Sequence, residues 1–414
     1  MPGPLPIPLS LFYCIIEGKT RDPYRMKERP FLFNLSRNVF FAGLVSLFMD
    51  ISSEMVYPLV PLFLTNVLGA TRTTVGIIEG IAEATASILK VFSGWLSDRL
   101  GRRKLLMGIG YGVSAVSRPV IANAGVWVEV LTARFVDRFG KGIRTAPRDA
   151  IIADSTERKR YGAAYGFHRT MDTIGAAIGP GVAFLLLAVF TGNLRLVFLA
   201  STLPAVIAVI ILVVFIKEKA RPVERSRGLP GLGDFAFDHA FRRYIVVIGI
   251  FSLGAFSDAF IILRAQDLGV SPELIPVIYL LLNVVYAATA APMGVLADRV
   301  GLRTMLLAGF ISYSIVYAGV AFADSALHIW ILFPLYGVYK GVSDGTQRAY
   351  IAKIAPEERK ATAFGVFHTV NGIMLLPASI IAGVLWDRVG PEATFLYGAA
   401  LSLLAAVYFA FTRK

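Results

Sequence analysis

Five basic residues, Arg134, Arg138, Lys141, Arg144 and Arg148, follow one another at spacings of four and three. On a helix that spacing gathers all five within about 120° of the surface. Such a stripe can grip a carboxylate or phosphate, because guanidinium groups bind these anions in two-point hydrogen bonds. It can equally be neutralised by Asp50, Glu54, Asp137 and Asp172, leaving one or two cations for a solute. Asp50 and Glu54 stand four residues apart, hence on one helical face, about halfway along an apolar segment; Asp258 lies at similar depth in a later one. A carboxylate in a partly dry cavity can load and release a proton unless a cation holds it ionised. Asp50, Glu54 and Asp258, followed by Asp137 and Asp172, are therefore the proton-coupling candidates. Arg134, Arg138, Lys141, Arg144, Arg264 and Lys340 are the candidates for binding a solute. Lys340, Asp344 and Arg348, spaced by four, also fit a self-paired ladder. Glu79 and Glu83, toward the outer end of their segment, suit a gate or a solvated surface.

Other chemistries find no foothold. Four histidines without metal-ligand spacing argue against a metal site, and the single cysteine, Cys14, excludes an intrachain disulfide and a cysteine cluster. No Gly-x-x-x-x-Gly-Lys-Ser/Thr phosphate loop is present. His168 and His368, each alone near a helix end, supply no nucleophile–base set. No cofactor is expected, and the chain is not expected to be an enzyme; a membrane-embedded lipid enzyme or a transporter-like receptor is the weaker alternative.

The elements that must position these charges are apolar. Of 414 residues, 56% are hydrophobic and 17% charged, where soluble domains carry roughly a quarter charged. Blocks long enough to cross about 30 Å of hydrocarbon fall near 38–67, 73–97, 105–124, 126–153, 161–190, 194–216, 244–267, 273–297, 304–322, 327–353, 361–386 and 393–412. Twelve spans put both termini on one side of a bilayer. With that side cytoplasmic, 27 cations lie in inside tails and loops and only Arg72, Arg195 and Arg388 outside. This is a positive-inside bias, so the net charge of +13 is a topology signal that calls for no nucleic acid. Residues 1–36 are expected to be a cytoplasmic tail rather than a signal peptide, and Met26 offers a second start. A six-helix bundle over 37–216, a cytoplasmic linker over 217–243 rich in Pro and Gly, and a second bundle over 244–414 complete the organisation.

The halves repeat. Gly94-Trp-Leu-Ser-Asp98-Arg99-Leu-Gly101-Arg102-Arg103 recurs 200 residues on as Gly294-Val-Leu-Ala-Asp298-Arg299-Val-Gly301-Leu-Arg303. Lys141-Gly142, Ile152-Ala153 and Gly166 recur at an offset of 199 as Lys340-Gly341, Ile351-Ala352 and Gly365. Gly383-Val-Leu-Trp-Asp387-Arg388-Val-Gly390 copies the motif at the other end of a span and is taken as an echo of the repeat.

The loop motif after the second span, echoed after the eighth, resembles the signature of the major facilitator superfamily over about residues 36–412. The resemblance implies an all-α fold of twelve transmembrane helices in two six-helix bundles. It also implies a cavity lined by helices 1, 4, 7 and 10, and transport of a small solute by alternating access. Those four helices hold most of the buried charge; helices 6, 8, 9, 11 and 12 hold none. The aspartates of the loop motif are expected to latch the cytoplasmic face shut. Gly175-x-x-x-Gly179-Pro180 resembles the antiporter signature of drug exporters, departing from it at Ala183 and Phe184, and should let a neighbouring helix approach closely. The expected function is proton-linked transport of a small organic solute with an anionic or zwitterionic group by a monomer in the cell membrane, with efflux of amphiphilic compounds as the alternative.

Overall fold

The computed structural model describes residues 35–100, 102–157, 160–218, 238–356 and 360–411. The N-terminal tail before residue 35, Gly101, most of the 217–243 linker, and the side chains of Asp98 and Arg99 lie outside the described residues.

Twelve helical rods follow in order: α1 (Arg37–Val67), α2 (Arg72–Leu100), α3 (Arg103–Asn123), α4 (Trp127–Asp154), α5 (Tyr161–Val189), α6 (Leu194–Phe215), α7 (His239–Asp267), α8 (Pro272–Val300), α9 (Leu302–Ala321), α10 (Ala326–Ile354), α11 (Lys360–Arg388) and α12 (Pro391–Phe411). Among the described residues there is no strand, so the fold is the all-α one expected. Among the described residues, nine rods are long and apolar enough to cross a membrane. The other three, α2, α4 and α10, are as long but carry the charged residues singled out above. The ends of the rods agree with the apolar blocks to within about a turn and a half.

Successive rods run in opposite directions, which brings α1's start and the ends of α4 and α6 to one face. There the buried Asn38 donates to Ser155 Oγ at 3.0 Å and to the Lys217 carbonyl at 2.8 Å, and accepts from Lys217 N at 3.0 Å. We call this the terminal face and its opposite the distal face.

The two halves meet where α2 packs along α11 and α5 along α8. One apolar core joins both halves on the distal side, drawing in Val60, Ile78, Phe260 and Trp386. A second core, around Val39, Met107, Ile152 and Leu212, belongs to the first half alone, and a third, of Ala297, Met305 and Val342, to the second half alone. The halves are thus sealed together distally and part toward the terminal face.

The widest interruption of an expected span is in α7, which breaks between Gly254 and Ala259. A Cβ on Gly254 would lie 3.0 Å from the Gly398 carbonyl oxygen of α12, so the chain presses on that helix as it turns. Ser257 Oγ then accepts from Ala259 N at 3.3 Å, and Asp258 occupies the cap position of the second piece. Ser and Asp are cap-forming residues, and that pair following Gly254 was the available signal.

Candidate functional site

The first two residues of the α4 stripe, Arg134 and Arg138, are held from α2. Arg134 makes a two-point pair with Glu79, Nε to Oε1 at 3.0 Å and Nη2 to Oε2 at 2.6 Å, with both residues 1% exposed. Arg138 pairs with Glu83 at 3.2 Å. Arg118 of α3 reaches Asp137 at 3.1 Å and donates to Ser52 and Ser53 of α1. The stripe's pairing with Asp50 and Glu54 is not what forms, and Glu79 is buried rather than solvated: geometry across the α2–α4 seam, invisible in one sequence, selects Glu79 and Glu83 instead. Arg144 turns to Ser114 and the Tyr111 ring, 4.4 Å away, and Arg148 to Asp149 at 2.9 Å. Asp137, a coupling candidate, is a partner of arginines.

Asp50 and Glu54 are left facing the cavity. α5 lies directly against them: a Cβ on Gly175 would come within 2.9 Å of Asp50 Cβ, and one on Gly179 within 2.8 Å of Glu54 Cβ. The Gly175, Gly179 and Pro180 segment therefore seats α5 on the acid-bearing turns of α1, and so brings in Asp172. Asp172 lies 3.5 Å from His168 Nδ1, whose Nε2 is 2.8 Å from Ser46 Oγ. Glu54 Oε2 and Asp172 Oδ1 are buried atoms without a hydrogen-bond partner. Asp50 has Asp172, Glu54, Lys141 and Arg144 as charged neighbours. Lys141 is solvent-accessible although deep in its helix, so it faces the cavity opposite these acids.

From the other half, the break in α7 presents Asp258, ion-paired with Lys340 and accepting from the Tyr336 hydroxyl at 2.7 Å. Lys340 therefore leaves the expected ladder, and so does Asp344, which accepts from Tyr286 at 2.9 Å while Arg169 of the first half donates to the same hydroxyl at 3.1 Å. Tyr57 and Tyr279 meet across the halves at 5.6 Å, Arg134 and Arg138 flanking the Tyr57 ring. These tyrosines carried no sequence signal beyond lying on spans, because an aromatic on a span is most often packing. Arg264 stands apart near the distal face, where it donates to the Val320, Ala321 and Ala323 carbonyls at the end of α9 and lies 3.5 Å from Glu392.

At the terminal face, Arg103 pairs with Asp154 and donates to the Ala150 carbonyl. Its repeat mate Arg303 donates to the Phe409 and Ala410 carbonyls at the end of α12. Gly301, at φ +93°, makes the turn that a side chain would oppose. Gly294, Asp298, Arg299 and Arg102 are exposed. Among the described residues no group of acids, histidines and cysteines could hold a metal ion.

Two six-helix halves that enclose a charged cavity, joined at one face and parted at the other, have the build of a membrane transporter. The chain belongs to the Major Facilitator Superfamily, whose family model matches residues 42–263 and 244–414. An uncharacterized MFS-type transporter of Methanocaldococcus jannaschii is 36% identical over 383 residues, 91% of this chain and 95% of that one. The multi-drug resistance efflux pump PmrA of Streptococcus pneumoniae is 24% identical over 347 residues, covering 80% and 86%. Among solved structures, the nucleoside transporter NupG superposes with a TM-score of 0.75 at 14% identity over 91% of this chain and all of that one. A POT family transporter superposes at 0.76 and 12% identity, over 92% and 96%. At such identities the two superpositions speak to fold alone.

Proposed function

We propose that this multi-pass transporter moves a small organic solute by alternating access coupled to protons, with both termini cytoplasmic in the cell membrane. The observation that carries the coupling is the trio Asp50, Glu54 and Asp172. These acids line the cavity without an arginine partner, two of them with an unpartnered buried oxygen. A group whose protonation changes between states must be free of a fixed cation in at least one of them. Asp137 is less suited, being held by Arg118, and Asp258 is a positioning partner of Lys340.

Lys141 of α4 offers a cation from one wall, and its equivalent in the second repeat, Lys340 of α10, reaches solvent from the other beside its partner Asp258. With the acids of α1 they suit a zwitterionic or anionic solute; Arg134, Arg138, Arg144 and Arg264 have other partners. The 27-to-3 cation split supports the terminal face as cytoplasmic, which makes the described state inward-open. A second reading, efflux of amphiphilic compounds by proton antiport, is favoured by relatives named as multidrug pumps.

A screen of amino acids, organic acids and amphiphilic cations in proteoliposomes, with and without an imposed pH gradient, tests substrate and coupling together. Accumulation that follows the gradient supports the proposal. Equilibration of a solute that ignores the gradient would make the protein a uniporter.

A further inference from the structure

The third copy of the loop motif, Gly383 to Gly390, is left without a role by the transport cycle above. The structure shows it bound across the two halves. Asp387, at the end of α11, sits over the start of α2. Its Oδ2 accepts from Thr73 N at 2.8 Å and Thr73 Oγ1 at 2.6 Å, and its Oδ1 accepts from Arg72 N at 3.1 Å. First-turn N–H groups have no acceptor within their own helix, and a carboxylate there also meets the positive end of the helix dipole. Thr71, just before α2, supplies a local cap to Thr74 N at 3.2 Å; the rest of the cap comes from the opposite bundle. Gly383 makes this possible, since a Cβ there would lie 2.6 Å from Thr73 Cα. Gly390, at φ +133°, turns the chain out immediately afterward. The Arg72 side chain adds an ion pair to Asp267 of α7 at 3.1 Å and lies 6.0 Å from the Trp386 ring.

We propose that Asp387, Thr73 and Arg72 form a distal lock: a helix cap lent by one bundle to the other that holds the distal face shut and is surrendered whenever that face opens. Every polar group in the lock is at the exposed rim, so water can replace each bond on opening. The apolar α2–α11 seam beneath it has no such substitute. The terminal-face copies of the motif end α2 and α8; this copy ends α11 on the other side, at the opposite gate. The proposal rests on the alternating-access reading.

The test uses the full chain in detergent with Cys14→Ser and one cysteine placed by Ser379→Cys, a position 0% exposed in the α2–α11 seam. A methanethiosulfonate reagent reaches that thiol only when the distal face opens. Asp387→Ala should raise the labelling rate about fivefold or more, the population change expected from losing a helix cap. Thr73→Val should raise it less, and Asp387→Asn should fall between, still folding should the alanine variant not. Measurable labelling in the parent that neither Asp387 variant accelerates would overturn the lock while leaving alternating access intact. No labelling in the parent or any variant, even after hours, would overturn both.

Discussion

Arg134 of α4 and Glu79 of α2 face each other in a fully buried two-point ion pair, 2.6 Å at its shorter contact. The pair decides what the arginine stripe is for. A buried guanidinium already gripped on both edges has no geometry left for a solute carboxylate. The Arg134 and Arg138 end of the stripe is thus the strut that ties α2 to α4.

Breaking that strut from one side should be severe. Glu79→Gln leaves the buried Arg134 charge with only Asp137, 4.0 Å away, and breaking a buried pair from one side costs about 3 to 5 kcal/mol. The melting temperature in detergent should fall by several degrees, with lower folded yield. Glu83→Gln should do less, because the Glu83 side chain is 31% exposed and water can answer Arg138. A Glu79→Leu, Arg134→Met double variant should recover most of the loss. Equal melting of Glu79→Gln and the parent would show that the pair contributes nothing.

Packing at Gly179 is equally direct. Gly179→Leu drives a side chain into Ile51 and Glu54 of α1, where even a Cβ would sit 2.8 Å from the Ile51 carbonyl oxygen. Overpacking of that kind typically costs about 1 to 3 kcal/mol. Gly181→Leu, with open space around it, should melt like the parent. Thermal melts of the two variants side by side check the difference, and equal stabilities would mean that α5 does not depend on this approach.

Much of the architecture was legible because a bilayer permits few solutions. Apolar blocks of span length, the offset of 200 between Asp98 and Asp298, and glycine spacing on α5 all report backbone constraints that a sequence carries locally. Pair choice was not legible. Glu83 and Glu54 lie on different helices at comparable distance from the distal face, and which one meets Arg138 depends on rotation and tilt of α2, set by glycines such as Gly76 and Gly80 against α11. The same holds for Lys340: its helix offered Asp344 four residues away, yet Asp258 reached it from the break in α7, a break that hydropathy cannot register.

Orientation can be checked independently of mechanism. If the terminal face is cytoplasmic, a cysteine at Ser226, in the 217–243 linker, should resist an impermeant thiol reagent in intact cells and label after permeabilisation. Labelling from outside would invert the topology and with it the direction in which the cavity opens.

The coupling assignment makes the sharpest demand, because two explanations of Asp50 and Glu54 lead to different measurements. Were these acids structural partners of the α4 arginines, their amide variants would strand buried cations and lower folded yield. Arg134 and Arg138 have Glu79, Glu83 and Asp137 instead, so Asp50→Asn and Glu54→Gln should purify and melt close to the parent. A proton carrier among them should, once neutralised, abolish accumulation driven by a pH gradient while sparing exchange of labelled for unlabelled solute, since exchange needs the site but no net proton movement. Asp172→Asn should behave similarly if the three acids share one proton. Lys340→Met gives the contrast: it strands Asp258 beside Tyr336, so both exchange and accumulation should fall together, with Asp258→Asn in addition restoring yield but not transport. Full gradient-driven uptake by all three amide variants would remove the trio from the coupling mechanism and leave Asp258 and Asp137 as the acids to test.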